Sequence, residues 1–186
     1  MNKINQNKIT FRLILLAIFI IFSSLTILCL PVLFNYNSKV EIIEKNFSKN
    51  FKIYLNSSAK ISYKPFPKPH LLVENASLNF DKSIEKNNFI DTRGLKIFIS
   101  LRDVYLRSFS NLVSAEISNS NLEFQISDLQ KIRKHLYQKV NNAIEFNNCK
   151  IFLKNEKEEV IIISPLKKIL YKINNKSKTK NLIING

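Results

Sequence analysis

From Leu13 to Ser38 the chain carries no charged side chain, and Leu13 to Phe34 is almost unbroken Leu, Ile, Phe and Val. As a helix this run rises about 33 Å at about 1.5 Å per residue, against a bilayer core of about 30 Å. Charges are costly in hydrocarbon and this stretch has none, so it reads as a transmembrane helix over 13–34. A cleaved signal peptide is the competing reading, since Lys3, Lys8 and Arg12 form a basic start. However, the apolar run exceeds the about 7–15 residues of a signal core, and no small-x-small cleavage site follows it. Cys29 does not read as a lipoprotein site, because Leu28 stands where a small residue is needed. The flanks orient the span. Three bases and no acid precede it, whereas Lys39, Glu41, Glu44 and Lys45 balance after it. The positive-inside rule keeps residues 1–12 in the cytoplasm and sends the rest across.

Beyond the span, Ser38-Lys39-Val40-Glu41 has the form of a capping box, and Val40, Ile43 and Phe47 share a face, which predicts a short helical connector over 35–50. The period then changes to two. Phe51, Ile53 and Leu55 form one predicted strand, and Ile61 and Tyr63 form the next after a turn at Asn56-Ser57-Ser58. Pro65-Phe66-Pro67-Lys68-Pro69 makes a corner, because alternating prolines remove ladder donors. A strand over 71–78 follows, then a polar loop from Asp81 to Gly94. Leu95, Ile97, Ile99 and Leu101 give the clearest alternation in the chain. Val104, Leu106 and Phe109 mark a turn or short helix, and strands follow at Val113–Ile117 and Leu122–Ile126. Residues 127–141 have helical spacing (Leu129, Ile132, Leu136, Val140), with Ser127 and Asp128 at the cap. Cys149–Leu153 and Val160–Ile163 flank a polar turn as a hairpin. Leu166, Ile169, Leu170 and Ile173 remain open between helix and strand, and 182–186 reads as a strand entering a turn, an ending that points to a fragment of a longer chain. Asn75-Ala76, Asn119-Ser120-Asn121 and Asn147-Asn148-Cys149 recur beside alternating runs.

The net charge is +15, from 29 Lys and Arg against 14 Asp and Glu. The N-terminal flank supplies only three of those bases, so the excess persists without it. It could attract anionic head groups, but the lysines are scattered through a sequence rich in Lys, Asn and Ile, except for an acid-free run from Lys167 to Lys180. Two cysteines, one of them inside the span, provide no disulfide framework. His70 and His135 lack ligand spacing. Asp91, Asp103 and His70 can be grouped on paper as a triad, but no spacing links them, and no nucleophile elbow or metal motif is present. The chain reads as a non-enzyme with no cofactor and no metal. Nucleic acid is not an expected partner on the far side of a membrane.

The order of elements, with "SYKPFPKPHLLVENASLNF" (62–80), "GLKIFISL" (94–101), "VSAEISNSNLEF" (113–124) and "IEFNNCKIFLKNEKEEVIII" (144–163), resembles the start of the AsmA-like family of Gram-negative inner-membrane proteins. The resemblance departs at a missing Gly after the second short strand and at the early stop. It implies an α+β, mainly β fold, with a transmembrane helix followed by a curled antiparallel β-sheet, taco- or groove-like, and one or two short helices. Residues 51–186 would form the periplasmic β domain, C-terminally truncated. It further implies an inner-membrane, single-pass protein that supports outer-membrane assembly and phospholipid transport between membranes. Its partners would be phospholipid, the inner membrane and outer-membrane assembly proteins. The residues expected on an apolar groove are Leu95, Ile97, Ile99, Leu101, Ile117 and Ile151, and a conventional closed core is the other use of the same rows. An anchored scaffold that pairs through a sheet edge is the alternative function.

Overall fold

A computed structural model describes residues 3–57, 60–80, 89–139, 142–174 and 179–185. The chain divides into two units, Met1–Phe34 and Asn35–Gly186. The first is helix α1 (Lys3–Cys29), continued by a 3-10 turn at Leu30–Leu33 with Pro31 in its first turn. The segment Thr10–Leu33 is long and apolar enough to cross a membrane. Two of its polar side chains bond back to the helix. The hydroxyls of Ser24 and Thr26 donate to the carbonyls of Ile20 and Phe22 at 2.8 and 2.9 Å, as a helix in hydrocarbon requires.

The second unit begins with helix α2 (Val40–Phe51), which buries Ile43, Phe47 and Phe51 along one stripe. The expected capping box is not formed. The Ser38 hydroxyl turns back to the Asn35 carbonyl at 3.2 Å, and Lys39 at the N-cap makes no side-chain cap bond. Lys52 ends the helix in the left-handed region (φ 56°), where its N–H donates to the Ser48 carbonyl at 2.9 Å. Phe51 therefore closes the helix instead of opening a strand.

Among the described residues eleven strands form one curled sheet: β1 (Tyr54–Ser57), β2 (Ile61–Lys64), β3 (His70–Val73), β4 (Ala76–Asn79), β5 (Phe89–Thr92), β6 (Leu95–Ile99), β7 (Leu112–Ser118), β8 (Asn121–Gln125), β9 (Ala143–Lys154), β10 (Val160–Asn174) and β11 (Thr179–Asn185). The proline corner separates β2 from β3 and holds a cis Phe66–Pro67 bond. Three further expectations are corrected. The sheet is mixed, because β7 and β8 both run parallel to β9. The crossover between them is helix α4 (Leu129–Lys139), the kind of connection that parallel neighbours need. The loop expected up to Gly94 contains β5, whose Ile90 is fully buried, while residues 81–88 lie outside the described residues. Leu101 opens helix α3 (Leu101–Leu106) and does not extend β6, because the Ser100 side chain caps that helix by accepting from the Asp103 N–H. The open segment 166–173 is strand, within β10. Val140, Lys176 and Lys178 lie outside the described residues.

The registers show that several short strands are halves of longer ones. Val73 pairs with Leu95 and Ala76 with Thr92; Leu95 pairs with Ile117 and Asp91 with Asn121; Ser118 pairs with Asn147 and Asn121 with Lys150. Each register is the same on both sides of a break, so Asn75, Arg93, Asn119 and Asn148 fall in one row across four strands. At this row the burial phase slips by one residue in every strand. Buried Ile117 is followed by buried Ser120, and buried Val73 by buried Ala76. Asn75, Asn119 and Asn148 all have φ of 51–52°. A left-handed residue turns an extended chain, and Asn tolerates that region better than most side chains. These three strands run in one direction. The opposed strand passes the row at Arg93-Gly94 without positive φ. The sheet is thus creased along a line of asparagines and keeps the same face inward on both sides. Helix α2 lies on that face and touches β1 in one half and β7 in the other.

Candidate functional site

Four of the six expected groove residues come together. Leu95 lies between Val73 and Ile117, Ile97 between Leu71 and Ala115, and Ile117 between Leu95 and Phe146. Leu95, Ile97 and Ile117 are completely buried and Ile99 nearly so, as are Ile43, Phe47 and Phe51 of α2. Protein side chains therefore cover this part of the inward face. Leu101 stands apart on α3, and Ile151 lies across the crease, half-buried between Leu122 and Ser164.

The accessible apolar surface is elsewhere, at the end of the sheet. Val160, Ile161, Ile162 and Ile163 are 46, 54, 48 and 60 % exposed, and Ile183 and Ile184 are also open. Consecutive residues of a strand point to opposite faces, so β10 presents hydrocarbon on both. The sequence carried a signal for this site. Four β-branched residues in succession without alternation normally mark a strand covered on both faces, and here, among the described residues, both faces stay about half exposed. Ion pairs flank the region, with Lys154 to Glu123 at 2.6 Å and Lys168 to Glu145 at 2.7 Å. β11 pairs with β10 only from Lys168 to Asn174, and among the described residues no strand pairs with that edge from Val160 to Lys167.

The outer side of the crease holds two open clefts. One of about 670 Å³ is lined by Asn75, Asp91, Arg93, Asn119 and Asn121 among others, and one of about 260 Å³ lies between Asn148 and Pro165. Cys149 is buried beside the second, and burial pushes its thiol pKa up, away from the reactive thiolate.

The residues of the paper triad are each engaged in the fold. Asp103 accepts from the hydroxyls of Ser100 (2.6 Å), Ser108 (2.8 Å) and Ser110 (3.3 Å), and the Ser100 bond foremost holds its carboxyl below the usual range against the opposing effect of burial. His70 is buried, with Nδ1 2.8 Å from the Lys68 carbonyl and its ring against Phe98. Asp91 pairs in register with Asn121 on the other half of the sheet. His135 places Nε2 2.6 Å from the Lys52 carbonyl, tying α4 to the end of α2. Among the described residues no group of three His, Cys, Asp or Glu is placed to hold a metal. No family model matches the chain, and no curated protein matches it.

Proposed function

We propose that this chain is a non-catalytic membrane-anchored module that holds phospholipid acyl chains against the exposed apolar end of its sheet. One observation carries the reading: β10 shows uncovered Val and Ile on both faces in the same polypeptide as a membrane-length apolar helix. Each buried methylene contributes about 0.8 kcal/mol, so such a surface can retain an acyl chain without specific polar contacts. The inward row Leu95, Ile97, Ile99 and Ile117 serves as the core that supports this surface. The AsmA-like resemblance and the basic N-terminal flank extend the reading to a Gram-negative inner membrane, a periplasmic sheet domain and a role in outer-membrane assembly. The test is photolabelling of the full chain in vesicles with a phospholipid carrying a photoreactive acyl chain. Label on peptides containing Val160–Ile163, lost in Ile162→Lys, is the expected result. Label confined to Thr10–Leu33 would overturn the proposal. The unpaired β10 edge favours the second reading, an anchored scaffold.

A further inference from the structure

The free edge of β10 has a direction and a charge pattern. Pro165 pairs in register with Lys150, and the Lys150 N–H points the other way, to the Ser120 carbonyl at 3.0 Å. In an antiparallel ladder a residue opposite such a partner also faces away. Pro165 is therefore outward-facing, where a missing N–H costs no ladder bond. Ile163, two residues earlier, turns its N–H and C=O to the same open side. The acidic turn Glu156-Lys157-Glu158-Glu159 precedes the apolar run, and Lys167 follows it. Glu159 and Lys167 are both exposed and lie at the two ends of the apolar run. Glu159 belongs to the turn, where its carboxylate accepts from the Asn155 side-chain amide at 2.8 Å, and a register shift separates it from the regular edge that starts at Ile162.

We infer that this edge pairs with the same edge of a second copy of the chain, antiparallel and centred on Ile163. The two Ile163 residues exchange N–H···O=C bonds, and the Val-Ile side chains of each copy cover those of the other. The acidic turn of each copy, ending at Glu159, comes beside Lys167 of the other, twice per pair. The charge pattern selects this occupant, because an antiparallel partner must run from acid through hydrocarbon to base, as this strand does. A parallel copy sets like charges together. Anchoring in one membrane raises the effective concentration, so a short pairing segment suffices. The inference does not rest on lipid binding.

The test uses the full chain in lipid vesicles, with Cys29→Ser to remove the thiol in the span. In a hydrogen-bonded antiparallel pair the two Cα atoms are about 5.5 Å apart, within disulfide reach. Ile163→Cys should give an oxidant-dependent disulfide dimer, and Lys134→Cys on the exposed face of α4 should not. In the Ile163→Cys background, Glu159→Lys or Lys167→Glu should each lower dimer yield by about fivefold, the size expected when two exposed ion pairs become two like-charge contacts. The combined swap E159K/K167E should restore it. Ile163→Cys crosslinking no better than Lys134→Cys would overturn the inference, as would a swap that fails to restore yield. Neither charge change removes an apolar contact, so acyl-chain photolabelling of the same variants reports separately on the lipid proposal.

Discussion

Asn148 donates from its side-chain amide to the side-chain carbonyl of Asn119 at 2.6 Å, and both residues hold φ of 52°. The bond joins two parallel strands at the point where each turns, and the backbone continues the tie, with the Asn119 N–H reaching the Asn147 carbonyl at 3.0 Å. A Cβ-bearing residue without a polar tip costs about 1–2 kcal/mol in this region. Asn119→Ala should therefore lower thermal stability by that amount, and Asn119→Gly by less, since glycine accepts the dihedral and loses only the amide bond. Gly94, on the opposed strand, has neither positive φ nor any atom within 4 Å of an added Cβ. Gly94→Ala should be close to neutral in the same melting experiment.

The Asp103 cluster fixes the link between β6 and β7. Its carboxylate accepts from three hydroxyls, and its backbone N–H donates to the Ser100 hydroxyl at 3.2 Å. Asp103→Asn should cost about 1–3 kcal/mol at neutral pH. The carboxyl is held below its ordinary value in the fold, so its contribution is complete above the ordinary carboxylate range and is lost as pH falls through the depressed folded pKa. Denaturant melts should show a constant gap between the two proteins from pH 7 to about 5, closing below about pH 4.

The two apolar surfaces should respond differently to truncation. Ile97 is fully enclosed, so Ile97→Ala should destabilise by about 2–5 kcal/mol. Ile162 is half exposed, and Ile162→Ala should change stability by less than about 1 kcal/mol. The comparison is made at concentrations where the chain is monomeric; equal losses in chemical denaturation there would mean that β10 is covered within its own chain.

The span makes its own prediction. Ile20 lies in the middle of Thr10–Leu33 and is exposed on the helix surface. An arginine at a helix centre costs about 2.5–3.5 kcal/mol in insertion. On the anchored reading, Ile20→Arg should move part of the protein from the alkaline-resistant membrane pellet to the supernatant, and wild type should stay in the pellet at high salt.

Strands with four or more alternating residues, such as β6 and β7, are legible from period two alone, and the α2 stripe from period four. β5 is not, because four residues including Asp91 offer too little alternation, and its identity comes from pairing with β4. The parallel neighbours were implicit in a helix lying between β8 and β9, yet direction became visible only with the register. The asparagine recurrence was on view in the sequence, but that Asn75, Asn119 and Asn148 share a row depends on strand pairing across dozens of residues. Ser38 shows the opposite error: a good local motif lost to the Asn35 carbonyl. For the groove candidates, the alternation from Leu95 to Ile99 marks one face of a strand, but which face turns inward depends on the curl of the whole sheet, which no single strand encodes.

Asn119 also constrains how this domain can change in length. Removing it would leave the alternation of its own strand unbroken, since Ile117 and Ser120 both already face inward. The damage would fall on the neighbours, because half of that strand would slide one residue past β5 and past the far part of β9. A deletion in one strand is then repaired only by matching deletions in the strands beside it. The fold line must be kept in all of them or given up in all of them.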